Sequence, residues 1–173
     1  LSKLKPLFEG GVVTAGNASG INDGAAALII GSEKVQEQYG LKPLARILSS
    51  AAAGIEPRIM GAGPIEAIKK AVQRAGLTLD DMDVIEINEA FASQVLSCLK
   101  GLDVAFDDPR VNPNGGGIAI GHPLGCSGAR LALTVARQLQ RTGKKYAVIS
   151  LCIGLGQGLA MVIENPEAAD RKS

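Results

Sequence analysis

Short apolar runs alternate along this chain with stretches whose apolar residues recur every three or four positions, and this alternation limits its possible folds more than any other feature. A run of four to eight aliphatic residues suits a strand covered on both faces, and a 3.6-residue period suits a helix lying on that sheet. Five segments are predicted as strands: "AAALIIG" (25–31), "PLARILSSAAAG" (43–54), "VIEI" (84–87), "KYAVISLC" (145–152) and "QGLAMVIE" (157–164). Helices are predicted between them. Ser32 caps "EKVQEQYG", which stops at Gly40, and Pro64 opens "PIEAIKKAVQRAG", with Ile65, Ile68, Ala71, Val72 and Ala75 on one face and Gly76 at its end. "NEAFASQVLSCLKG" leaves the end of the third strand, and a long helix runs from Ser127 or Gly128 through Arg141. "LTLDDMD" and "IGLG" are read as turns. The expected fold is α/β, a mixed, mostly parallel sheet covered by helices, with the last two strands as an antiparallel edge. "DGAAALIIGSE" and "QGLAMVIENPE" share a pattern that two related halves, or chance, would produce.

The chain has 173 residues, the length of one domain or one and a half. Its core must be aliphatic, because three Phe, two Tyr and no Trp accompany 46% hydrophobic residues. Eighteen basic residues face 17 acidic ones with the signs interspersed, which argues against a nucleic-acid groove or a polybasic membrane patch. Cys98, Cys126 and Cys152 make no disulfide framework, and one histidine without a CxxC pair makes no zinc site. The opening "LSKLKPLFEGG" lacks a hydrophobic signal core, and the uncharged run from Val148 to Ile163 is shorter than a membrane span. A soluble intracellular protein follows as the expectation, cytoplasmic before mitochondrial or peroxisomal, with no tightly bound cofactor.

Three polar residues fall just past strand ends or in glycine loops, where open sheets place their chemistry. Asn88 follows "VIEI" and could hold a water or donate to an oxyanion; by itself it reads better as a helix N-cap. His122, the sole histidine, stands in "NPNGGGIAIGHPLGCSG" (112–128), where it is either a base near neutral pH or a histidine bonded within its loop. Cys152 precedes "IGLGQG", whose turn amides could face a carbonyl oxygen; its plainer reading is a small buried hydrophobe, the reading that also suits Cys98 and Cys126. "GLGQG" is not GxGxxG and joins two strands, and "GHPLGCSG" lacks the lysine of a phosphate loop.

Taken together, "NEAFA", "NPNGGGIAIGHPLGCSGAR" and "CIGLGQGLA" occur in the order and spacing of the C-terminal signatures of the thiolase family, and "GGVVTAGNASGINDGAAA" (10–27) resembles the segment that ends its first half. The resemblance covers residues 1 to about 165. It implies acyl transfer between coenzyme A thioesters, by thiolytic cleavage of a 3-ketoacyl-CoA or Claisen condensation of two acyl-CoAs. It also implies the C-terminal half of a five-layered αβαβα body. On this resemblance His122 activates the acyl-accepting cysteine and donates to an oxyanion, and Cys152 is the acid/base at the substrate α-carbon. Asn88 holds a water in one oxyanion hole, and the Gly154 amide donates in the other. Ser19 meets the pantetheine arm, with Ala15, Ala90 and Phe91 lining its channel. Residues 1–22 then end a loop domain, 23–43 supply the last strand and helix of the first half, 44–165 form the C-terminal domain, and 166–173 are a tail. The family's acyl-accepting cysteine lies upstream of "TAGNASG". The resemblance therefore implies an N-terminal thiolase fragment or subunit as partner, CoA and acyl-CoA as ligands, and a dimer or tetramer of the assembled enzyme. The alternative is a non-catalytic thiolase-fold binding or assembly module.

Overall fold

A computed structural model describes residues 1–169. The regular elements are α1 (Glu33–Tyr39), β1 (Arg46–Gly54), α2 (Gly63–Arg74), β2 (Val84–Ile87), α3 (Ala92–Gly101), α4 (Gly117–Ile120), α5 (Leu124–Thr142), β3 (Tyr146–Ile153) and β4 (Gln157–Glu164). Short 3₁₀ turns at Pro57–Ala62 and Leu79–Asp81 lead into α2 and β2.

The four strands form one sheet in the order β1-β4-β3-β2. It is mixed, as expected, but the balance differs: β2 and β3 are parallel, whereas β4 is antiparallel to both its neighbours. Nor is β4 an edge. Its Ala160 and Val162 pack into one core and its Ile163 into the other, and a strand apolar on both faces needs helices over both.

Period-two alternation divides the core. Ile85, Ile87, Val148 and Val162 point toward α2 and α3, where they meet Ile68, Ala71, Val72, Val95 and Leu99. Val84, Ala147, Ile149 and Ile163 point the other way, onto Leu131, Val135 and Leu139 of α5. Burying each large aliphatic stabilises the fold by about 1.5–3 kcal/mol. The α2 helix comes especially close. A Cβ on Gly63 or Gly158 would run into the facing backbone, so both positions are glycine because helix and strand touch there.

Several boundaries differ from the sequence reading. Residues 25–31 are not a strand. No backbone hydrogen bond among the described residues involves them, and Ile29 and Ile30 are 97% and 76% exposed. An extended segment becomes a strand only by sharing a ladder, and the sheet of this chain offers it none. The α3 helix starts at Ala92, four residues after Asn88, so Asn88 is not its cap. Ala92 donates instead to the Asn17 carbonyl at 2.8 Å. The α5 helix starts at Leu124, before Ser127, because the Pro123 carbonyl already accepts from Cys126 and Ser127, each at 2.9 Å. The short α4 turn carries no helical signal in the sequence, because glycines surround it. Asp170 to Ser173, the end of the expected tail, lie outside the described residues.

Candidate active site

Because β2 and β3 are parallel, their carboxyl ends open on the same edge of the sheet, and Asn88 leaves β2 there. Its backbone amide extends the ladder by one step, donating to the Ser150 carbonyl at 2.9 Å. Its side chain is buried, with Nδ2 3.3 Å from Nε2 of His122. On the other side of the ring, Nδ1 lies 2.6 Å from Ser127 Oγ, which itself donates to the Pro123 carbonyl at 3.0 Å. The serine has one proton and gives it to that carbonyl. Nδ1 must therefore carry the proton it shares with Oγ, and Nε2 presents its lone pair to the Asn88 amide. The network thus assigns the tautomer of the ring. Burial, helped by the positive charge of Arg130, holds the imidazole below its ordinary value and favours the neutral ring.

The histidine loop is anchored at both ends. Asn22 accepts the His122 amide through Oδ1 at 3.1 Å, and Gly121 at φ +97° packs against that same side chain, where a Cβ would clash. Upstream, Glu89 accepts from the Ile118 amide at 3.2 Å and from Asn112 Nδ2 at 2.9 Å. Asn112, in the left-handed region at φ 42°, also pairs side chain to backbone with Ile87, accepting its amide at 2.9 Å and donating to its carbonyl at 3.0 Å. Thus "NEAFA" and "NPNGGG" are tied by the second letter of one and the first of the other.

Cys152 sits in β3 two residues beyond Ser150, half-buried, its thiol pushed up by burial. The hydrogen bonds among the described residues do not join it to His122. Gly154 lies exposed in the following turn, where its carbonyl accepts from Gln157 Nε2 at 3.4 Å. Cys98 is fully buried, donates to the Gly61 carbonyl at 3.3 Å and is pushed up to about 11 by burial, as suits a structural thiol. Cys126 is likewise buried.

Ala15 and Ser19 line a cleft of about 480 Å³ together with Asn22, Ile118, Ile120 and Gly121, so it ends beside His122. Ser19 donates to the Ala90 carbonyl from both its amide (3.0 Å) and its hydroxyl (3.3 Å), and Ala18 forms a β-bridge with Phe91. Ala90 and Phe91 therefore fasten the wall of the cleft without lining it.

Five neighbours of the site escape a reading of the sequence: Asn22, Glu86, Glu89, Ser127 and Arg130. Glu86 carries a signal, a charge in the middle of the apolar strand "VIEI". Ser127 and Arg130, five and eight residues after the histidine, have only their helical spacing.

Fold and site together define an α/β protein that carries a hydrogen-bonded histidine and a half-buried thiol at one end of the sheet, beside a cleft. That class has a name: the chain belongs to the thiolase family. The family description "Thiolase, C-terminal domain" matches residues 41–165, and "Thiolase, N-terminal domain" matches 1–34. The β-ketoadipyl-CoA thiolase of Acinetobacter baylyi is 61% identical over 165 residues, 95% of this chain and 41% of that protein. The 3-oxoadipyl-CoA/3-oxo-5,6-dehydrosuberyl-CoA thiolase of Escherichia coli K12 is 58% identical over 92% of this chain and 40% of its own length. The crystal structure of human mitochondrial 3-ketoacyl-CoA thiolase in complex with CoA superposes with a TM-score of 0.90 at 51% identity, covering 95% of this chain and 41% of that one. The chain spans about two-fifths of the length of these relatives.

Proposed function

We propose that this chain supplies the proton-handling half of a thiolase active site and that the nucleophilic cysteine comes from an N-terminal part of the enzyme. The observation that carries this reading is the chain from Asn88 through His122 and Ser127 to the Pro123 carbonyl, which leaves Nε2 basic.

In the thiolytic direction, Nε2 of His122 takes the proton of the incoming cysteine thiol, and the sulfur attacks the 3-keto carbon. The new Nε2–H and a water held by Asn88 then donate to the oxygen that gains charge. The bond between the α- and β-carbons breaks. Its electron pair becomes the enolate of the departing acyl-CoA, and Cys152 gives that α-carbon a proton while the Gly154 amide donates to the enolate oxygen. The acyl group stays on the nucleophilic cysteine. The Cys152 thiolate then takes the proton of the incoming CoA thiol, the CoA sulfur attacks the thioester carbon, and the nucleophilic cysteine leaves as a thiolate that recovers its proton from Nε2 of His122. Ser19 and Ala15 meet the pantetheine arm in the cleft, with Ala90 and Phe91 behind them. Residues 1–22 act as the end of the loop domain and 23–43 as the last strand and helix of the first half, a division supported by the exposure of the 25–31 segment. The assembled enzyme is a homo-oligomer.

The relatives' names support a 3-oxoadipyl-type thioester, whose acyl tail ends in a carboxylate, as the substrate class. The test is thiolysis by this chain assembled with its N-terminal part, assayed on 3-oxoadipyl-CoA and on a straight-chain 3-ketoacyl-CoA. Replacing His122 or Cys152 with alanine should remove at least about 10²–10³ of the rate on either substrate. Near-normal turnover in either variant rejects the corresponding role. A rate no higher on 3-oxoadipyl-CoA than on the straight-chain substrate rejects only the substrate class.

A further inference from the structure

Behind the histidine lies a buried charge pair that the reaction above does not use. Glu86 stands in the middle of β2, 1% exposed, and Nη1 of Arg130 on α5 approaches its Oε1 to 3.6 Å. Two bridges connect the pair to the imidazole. Along the strand, Glu86 and Asn88 are two apart and so share a face, and Asn88 contacts Nε2. Along the helix, Ser127 and Arg130 are three apart and so are neighbours, and Ser127 contacts Nδ1. The ring is thus the outer end of a polar stack set into an otherwise aliphatic layer.

We infer that Arg130, anchored by Glu86, is a positioning charge that keeps His122 a free base from behind the ring. This rests on the reading of His122 as the base of the proposed reaction. A guanidinium stays charged throughout the accessible pH range, and in a poorly solvated layer its field falls on the one neighbouring group able to become a second cation. An imidazolium there would put two positive charges behind one wall. The neutral ring avoids this and keeps Nε2 ready for a thiol proton.

Glu86 balances the arginine. The groups facing it are Arg130 from α5 and Glu89 from the loop after β2. Those facing His122 are Asn88, Ser127, Asn22 and Arg130, of which only Arg130 is charged. Burial pushes the Glu86 carboxyl up to about 7, against the pull of Arg130. As Glu86 ionises, the net charge behind the ring drops, so the histidine and the glutamate titrate as a linked pair.

His122 is the only histidine in the chain, so its C2 proton gives a single NMR signal whose assignment is unambiguous. The experiment follows that signal against pH in the 173-residue chain and in Arg130→Gln, Arg130→Lys and Glu86→Gln. Arg130→Gln should raise the midpoint by roughly half a pH unit or more, and Arg130→Lys, which keeps the charge, should stay near the parent. Glu86→Gln should remove the second inflection that the parent shows as Glu86 ionises. The inference is overturned if Arg130→Gln leaves the midpoint in place, or if Arg130→Lys moves it as far as Arg130→Gln does. Should the glutamine variant fail to fold, Arg130→Lys and Glu86→Gln still decide: a parent curve with one inflection, unchanged in Glu86→Gln, sinks it. Because the readout is a titration, it stands apart from any thiolysis assay, whose failure would count against the proposed function alone.

Discussion

Two segments of this chain look equivalent as text and behave oppositely as structure. "AAALIIG" at 25–31 and "YAVISL" at 146–151 are both runs of small and branched aliphatics. The second lies between β4 and β2 and is largely buried. The first has no ladder, and Ile29 stands 97% exposed. Apolar character makes a strand possible, but only neighbours on its edges and helices on its faces make one form. The difference locates the apolar stretch that the four-stranded sheet leaves uncovered, inside the residues 1–34 that match the N-terminal family description.

The most sensitive way to break this contrast is amide exchange. Amides of 25–31 should exchange close to intrinsic rates and those of 147–150 more slowly by over about 10³-fold, since only the latter need extensive unfolding to open. Slow exchange at 25–31 in this chain alone would reveal a partner strand that the four-stranded sheet lacks. Adding the N-terminal part should protect 25–31 and leave 147–150 unchanged.

Truncation sharpens the contrast next. Ile68, 1% exposed on α2, should cost about 2–5 kcal/mol when replaced by alanine, measured by denaturant unfolding. The same change at Ile29 should cost less than about 0.5 kcal/mol in this chain and approach the buried value once the partner covers it.

The two faces of the sheet offer a further contrast, because among the described residues the one buried carboxyl, that of Glu86, lies on the α5 face. The folded Glu86 carboxyl keeps its proton to about 7, against an ordinary 4.5, so between those values the folded state binds more protons than the unfolded one. Stability should therefore fall as pH rises through that window, by about 3 kcal/mol from this buried group. Glu86→Gln should flatten that slope in unfolding curves taken at pH 5 and pH 8. An unchanged slope would mean that the carboxyl titrates normally.

The smallest effect lies in the β3–β4 turn. Leu155 adopts φ 66° and is 88% exposed. Glycine there removes the left-handed strain but adds unfolded-chain entropy, so Leu155→Gly should stabilise by roughly 0.5 kcal/mol at most, read as a small rise in Tm.

Much of this architecture is legible in local patterns. Ser32 and Gly40 bracket α1 as expected, with Ser32 Oγ accepting the Val35 amide at 3.4 Å and Gly40 at φ 61°. Caps, glycine stops and the two periodicities act within a few residues, so they survive in the text alone. The position of β4 inside the sheet, the start of α5 at Leu124 and the release of Asn88 from a capping role all depend on which backbone groups happen to be near. The site divides in the same way. His122, Cys152 and Asn88 draw attention by residue type and by loop setting. Ser127, Arg130 and Glu86 do not, because serine, arginine and glutamate are ordinary on surfaces and become exceptional only when folding carries them out of water, and Asn22 matters only because folding brings its side chain to the His122 amide.

The amino-acid order by itself determined an aliphatic α/β domain with its reactive groups at or near strand ends, since hydrophobic period and turn chemistry are short-range properties. The tertiary structure alone decided which nitrogen of His122 is basic, which charge stands behind it and which apolar run goes unpaired. Hydrogen bonds and desolvation depend on distances of a few ångströms between residues that lie tens of positions apart in the chain.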